Sequence, residues 1–269
     1  MTRSELTPPA MGAVTGRRAV TAIVLAGMLC LAATAWVVTV RQMSGMDNGP
    51  WTSLGGAGWF VSVWVVMMAA MMFPSVAPTV ALYVKMTAKR SPAFGLAFAT
   101  GYLLTWAAAG IAVFGVARAG GAVAGDVLSW GRAGRWVAAA TLLAAAVYEL
   151  TPLKDVCLGN CRSPLGQLLG SWRGGVRGAI SMGSRNGAWC VGCCWALMAS
   201  LFALGIMSLV WMAFVAALIA VEKLLRWQRV ATYGTAAVLL ALAVVLVAAP
   251  HALPGLTIPA VGMQTRMGS

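Results

Sequence analysis

GAWCVGCCWALMASLFALGIMSLVWMAFVAALIAVEKL, residues 187–224, decides how this chain is read. From Ala188 to Val221 it carries 34 residues without a charge. As one helix that run would reach about 51 Å, well beyond the roughly 30 Å hydrocarbon core of a bilayer. Split near Gly205, each half has about 17 residues, the lower limit for a crossing. Apolar runs of this length are helical membrane spans, because barrel strands would show roughly ten-residue alternation instead.

The rest of the sequence agrees. Of 269 residues 61% are hydrophobic and 9% charged, against about 45–50% and 25% in soluble domains. A soluble protein of this size has no place to hide so much apolar surface, whereas lipid accepts an apolar exterior. Further spans are expected at about 19–40, 58–84 (broken by Pro74 and Pro78), 93–117, 136–153 and 231–249. The predicted fold is therefore all-α: a polytopic transmembrane helical bundle of six to seven spans in the lipid bilayer. Residues 1–18 are expected to be a disordered N-terminus, 19–250 the helical domain with a cysteine-containing loop at 154–187, and 251–269 a C-terminal tail. Arg17 and Arg18 precede an apolar run as in a signal peptide. That run is too long for the apolar part of one, about 7–15 residues, so an uncleaved first span is predicted.

The net charge is +13, from 19 Lys and Arg against 6 Asp and Glu. The charges lie between the apolar runs, with no basic stretch interleaved with aromatics, so nucleic acid is excluded in favour of orientation in the membrane. The positive-inside rule places the N-terminus, Lys85, Lys89, Arg90 and the 154–187 segment on the cytoplasmic side. It also places Lys223, Arg226 and Arg229 there, provided that 188–221 crosses twice, which gives seven spans. Trp59, Trp136, Trp189 and Trp227 read as interfacial anchors at span ends.

Chemistry is concentrated in the cysteines. Cys157 and Cys161 are four apart; Cys190, Cys193 and Cys194 follow in a second group; Cys30 stands alone in the first span. Cys190 and Cys193 have the spacing that lets two sulfurs reach one ion or form one disulfide. Thiols on the cytoplasmic side stay reduced, so a metal or redox role outranks a structural disulfide, although free cysteine is also a common buried hydrophobe. Together the two groups offer five soft ligands suited to Cu⁺, Zn²⁺ or an iron–sulfur cluster. A shared site requires sulfurs of the two groups within about 4 Å of each other. His251 is the chain's one histidine, so an all-histidine site is excluded.

In WVVMMAAMMFP (64–74), Met67 and Met71 share one helical face and Met68 and Met72 another. Thioethers prefer Cu⁺, and these methionines tip the balance towards copper if one of them faces the cysteines. The prolines that follow free carbonyls that can line a polar cavity. Glu149, inside a span, is expected to pair with Lys154 or to serve a metal, and Glu222 to pair with Lys223 or Arg226. Nothing forms a nucleophile–base constellation or a Walker loop, so the chain is not expected to be an ATPase.

The segments WVVMMAAMMFPSVAPTVALY (64–83), YELTPLKDVCLGNCRSPLG (148–166) and 187–224 resemble those of an uncharacterised bacterial family described as predicted metal-binding integral membrane proteins. The resemblance covers about residues 58–230. It implies metal binding by Cys157, Cys161, Cys190, Cys193 and Cys194, and location in a bacterial cytoplasmic (inner) membrane. Relatives often carry a histidine just before the second cysteine block, where Asn186 and Trp189 stand here.

The resulting expectation is a membrane protein that binds copper or zinc for metal handling or transport. Its candidate metal residues are the five grouped cysteines with Glu149, Met67 and Met71, and no organic cofactor or catalytic residue is expected. Two alternatives remain open: a membrane thiol–disulfide oxidoreductase using Cys190 and Cys193, and a non-catalytic subunit or assembly factor of a membrane complex.

Overall fold

A computed structural model describes residues 11–43, 56–87, 93–124, 134–170, 172–204, 208–225 and 227–249. The described residues are helical throughout, without strands: α1 (Met11–Met43), α2 (Ala57–Met86), α3 (Ala93–Ala124), α4 (Arg135–Glu149), α5 (Pro152–Arg162), α6 (Pro164–Leu169), α7 (Gly175–Leu204), α8 (Leu209–Leu224) and α9 (Gln228–Ala248). Five of these, α1, α2, α3, α7 and α9, are long and apolar enough to cross a membrane, and α4 with α5 makes a sixth if that bent pair is one span. The outer surface keeps large apolar side chains such as Ile23, Leu96, Leu104, Ile111, Val116 and Val244 exposed. Residues 1–10, the tail at 251–269 with His251, Lys89, Arg90 and Arg226 lie outside the described residues.

The long apolar run does turn. In one straight helix Cys190 and Lys223 would stand about 50 Å apart, yet Lys223 Nζ lies 3.0 Å from Cys190 Sγ. The chain therefore reverses between α7 and α8, at the predicted place, and α8 runs back along the second half of α7.

Two expectations change. The 154–187 segment is not a loop: it forms α5, α6 and the first turns of α7. α4 stops at Glu149, and after a bend of 67° Pro152 starts α5. Thr151 caps that start, its Oγ1 accepting from Lys154 N at 3.3 Å, and proline suits a first turn whose N–H groups lack helical partners. Trp189 lies in the middle of α7 and packs against the core, not at a helix end. Trp59, Trp136 and Trp227 are exposed at or beside helix starts, as expected.

α3 and α7 run side by side in the same direction along a seam of small residues. A Cβ on Gly101 would strike the backbone of Ile180, one on Gly183 the backbone of Phe98, and one on Gly187 would come within 2.9 Å of Thr105 Cβ. Side chains then bridge the two backbones: Thr105 Oγ1 donates to Ser184 O (3.0 Å) and Ser184 Oγ donates to Gly101 O (3.0 Å). Such close approach is what glycine permits, because small residues at a helix–helix seam let the two backbones come together. α2 lies antiparallel on α3, with Trp64 Nε1 donating to Trp106 O (3.0 Å) near one end and Tyr83 packed on Phe98 near the other.

Candidate metal centre

The second cysteine group sits midway along α7. At 3.6 residues per turn, positions 190, 193 and 194 fall on one face, and Asn186 lies one turn earlier on the same face. Cys190, Cys193 and Cys194 are buried, and their sulfurs all lie within 4.8 Å of one another. Cys193 Sγ and Cys194 Sγ donate to the carbonyl of Cys190 (3.2 and 2.8 Å).

The first group arrives from α5. The bend after α4 lays α5 against α7, and Cys161 Sγ comes to 3.6 Å from Cys193 Sγ. Two sulfurs bound to one tetrahedral ion at 2.3 Å would be about 3.8 Å apart, so this spacing fits a shared ion. Cys157 packs on Gly192, where an added Cβ would stand 2.9 Å from its sulfur. Glycine at 192 thus leaves room for the first group to dock between the cysteines of the second. Tyr148 Oη donates to Gly192 O at 2.6 Å and fixes the end of α4 at the same level. All six cysteines are free thiols, and Cys30 is exposed on α1, apart from this cluster.

Cys190 is the hub. Its sulfur lies 3.0 Å from Tyr102 Oη, 3.9 Å from Met72 Sδ and 3.0 Å from Lys223 Nζ. Lys223 Nζ also reaches Met72 Sδ (3.9 Å) and Ser75 Oγ (3.5 Å). A small polar cavity opens here, lined by Ser75, Thr79, Tyr102, Cys161, Asn186, Cys190 and Lys223. Its α2 wall is the turn between Pro74 and Pro78, where proline was expected to favour a polar cavity.

Met72 is thus the methionine that meets the cysteines. Met67 and Met71 are buried in the core, and among the described residues neither makes a sulfur hydrogen bond to a cysteine. Met71 is one residue away, about 100° round the helix. Glu149 and Glu222 belong to another arrangement. Lys154, fully buried, lies 2.7 Å from Glu149 Oε2 and 2.8 Å from Glu222 Oε2, so Glu222 pairs with Lys154 and not with Lys223; Arg226, the other expected partner, lies outside the described residues. Arg162 donates to the carbonyls of Glu222 (3.1 Å) and Leu225, closing the end of α8.

The donor set is chemically soft, four thiols with a thioether beside them, and accords with an ion held by sulfur. A family model described as PpoB2, copper chaperone, matches residues 61–246. The chain belongs to this copper chaperone family. No curated protein and no solved structure matches the chain. The copper chaperone match runs from α2 into α9 and takes in all five grouped cysteines, Met72, Lys154 and Lys223. It spans the stretch that carried the resemblance to a metal-binding family. The sequence missed Lys223 and Tyr102, whose roles come from tertiary neighbours far away in the chain.

Proposed function

We propose that this protein is an integral membrane copper chaperone that holds Cu⁺ on Cys161, Cys190, Cys193 and Cys194, with the Met72 thioether beside them. The observation that carries the reading is the 3.6 Å approach of Cys161 to Cys193, two thiols from separate helices. Thiols of both groups and a thioether from a third helix thereby converge on one point. Cu⁺ accepts thiolate and thioether sulfur, whereas calcium or magnesium would need several oxygen ligands that this cluster lacks. Seven crossings follow if α4 and α8 both span, with the cluster towards the end of the bundle that bears Lys85, Arg162, Arg173, Arg177, Arg185 and Arg229. The positive-inside rule makes that end cytoplasmic, in a bacterial inner membrane.

The test is a competition titration of reduced protein in detergent against a Cu⁺ chromophore. Cys190→Ser and Cys193→Ser are expected to weaken Cu⁺ binding at least a hundredfold while the helical circular dichroism stays unchanged. Wild-type affinity in both variants would return the cysteines to ordinary core packing. An oxidoreductase reading keeps one supporting observation, the same close pair, and would use Cys161 and Cys193 in place of Cys190 and Cys193. A protein whose Cys161 and Cys193 cycle between thiol and disulfide in cells without holding copper would favour it.

A further inference from the structure

Lys223 is an unusual neighbour for a cation site. Its chain neighbour Glu222 is engaged by Lys154 at 2.8 Å. Among the described residues Lys223 has no carboxylate partner. Its ammonium group instead faces Cys190 Sγ at 3.0 Å, Met72 Sδ at 3.9 Å and Ser75 Oγ at 3.5 Å. A partly buried ammonium so placed adds one positive charge at the edge of the site.

We infer that Lys223 sets the charge of the ion that this site takes, favouring a monovalent over a divalent one. The inference rests on the copper reading above and adds a specificity determinant to it. Coulomb repulsion scales with the product of the charges, so a divalent ion among the same sulfurs feels Lys223 twice as strongly as a monovalent one. Burial keeps the difference from being screened away, because salt screens buried and partly buried charges much less than exposed ones. Lys223 also offsets one thiolate, so the ligand set presents less negative charge to an incoming ion. Thiolates alone do not separate Cu⁺ from Zn²⁺, since both bind them. A fixed positive charge beside Cys190 does.

The geometry supports a role specific to the site. Glu222 and Lys223 are adjacent at the end of α8, yet one is committed to the buried carboxylate–lysine cluster and the other to the sulfurs. Arg162 holds the same helix end through the carbonyls of Glu222 and Leu225. The ammonium is thereby kept beside Cys190 by bonds that do not involve the cysteines.

The experiment measures Cu⁺ and Zn²⁺ affinities separately, by chromophore competition, for reduced full-length protein in detergent. The proteins compared are wild type, Lys223→Met, Lys223→Gln, Lys223→Arg and Cys193→Ser. Wild type is expected to prefer Cu⁺. In Lys223→Met and Lys223→Gln the ratio of Zn²⁺ to Cu⁺ affinity is expected to rise at least tenfold, and in Lys223→Arg to stay within threefold of wild type. Should Lys223→Met fail to fold, Lys223→Gln, which keeps a polar side chain, gives the same readout. An unchanged ratio in the neutral variants overturns the inference, as does a rise in Lys223→Arg equal to theirs, which would make shape and not charge the cause. Wild type that binds Cu⁺ through Cys193 with that unchanged ratio removes only the role of Lys223. Wild type that binds neither ion, or binds equally well after Cys193→Ser, removes the copper site itself and this inference with it.

Discussion

Cys190 and Met72 meet across two helices, and that meeting separates one methionine from its neighbours. Met67, Met68, Met71 and Met72 are all buried in the same core, but Met72 Sδ lies 3.9 Å from Cys190 Sγ. Met72→Leu keeps nearly the same volume, a swap that cores tolerate at less than about 1.5 kcal/mol. It is expected to weaken Cu⁺ binding about tenfold, whereas Met71→Leu leaves it unchanged; the chromophore titration reads both. The sequence supplied the soft inventory and the condition that one methionine face the cysteines. Its candidates were Met67 and Met71 and not Met72, because two faces about 100° apart round one helix look alike until the partner helix is placed. Lys223 was less legible still. Glu222 and Arg226 offered it and its neighbour ready local pairs, and only the folded chain shows that Glu222 goes to Lys154 and Lys223 to Cys190.

Among the helices, α5 is where sequence reading stopped short. Pro152, Pro164 and a run of charges between apolar spans look like loop punctuation, and periodicity is weak over eleven residues. The helix exists because Thr151 caps it, Pro152 starts it and its apolar face docks on α7. Its Lys154 ties α4 and α8 together through Glu149 and Glu222, all three side chains being buried. Removing the shared cation would leave two carboxylates facing each other without compensation. Lys154→Met is therefore expected to destabilise the protein by about 3–5 kcal/mol, the usual cost of breaking a buried ion pair from one side. Thermal unfolding in detergent measures it, and a midpoint equal to wild type would show that the cluster contributes nothing net.

For the whole molecule, the sequence foresaw the all-helical build, the positions of most long helices and the reversal near Gly205, because apolar run length and charge placement are encoded locally. The folded chain adds that α5 and the end of α8 lie together, joined by Lys154 to Glu222 and by Arg162 to the carbonyls of Glu222 and Leu225. The start of α7 and the start of α9 should then share one face of the membrane. Single cysteines replacing Arg173 and Arg229 in a cysteine-free background are expected to react with an impermeant maleimide from the same, cytoplasmic, side; labelling from opposite sides would refute the seven-crossing arrangement. The glycine seam of α3 and α7 carries a mechanical consequence. With backbones touching at Gly101, Gly183 and Gly187, the two helices form a stiff beam, and the α7 cysteines are a fixed jaw mounted on it. The opposing jaw, α5 with Cys161 and α8 with Lys223, is held by side chains alone. An ion leaving this cluster is then expected to need the α5 and α8 side to give way, and not the helix that supplies most of the thiols.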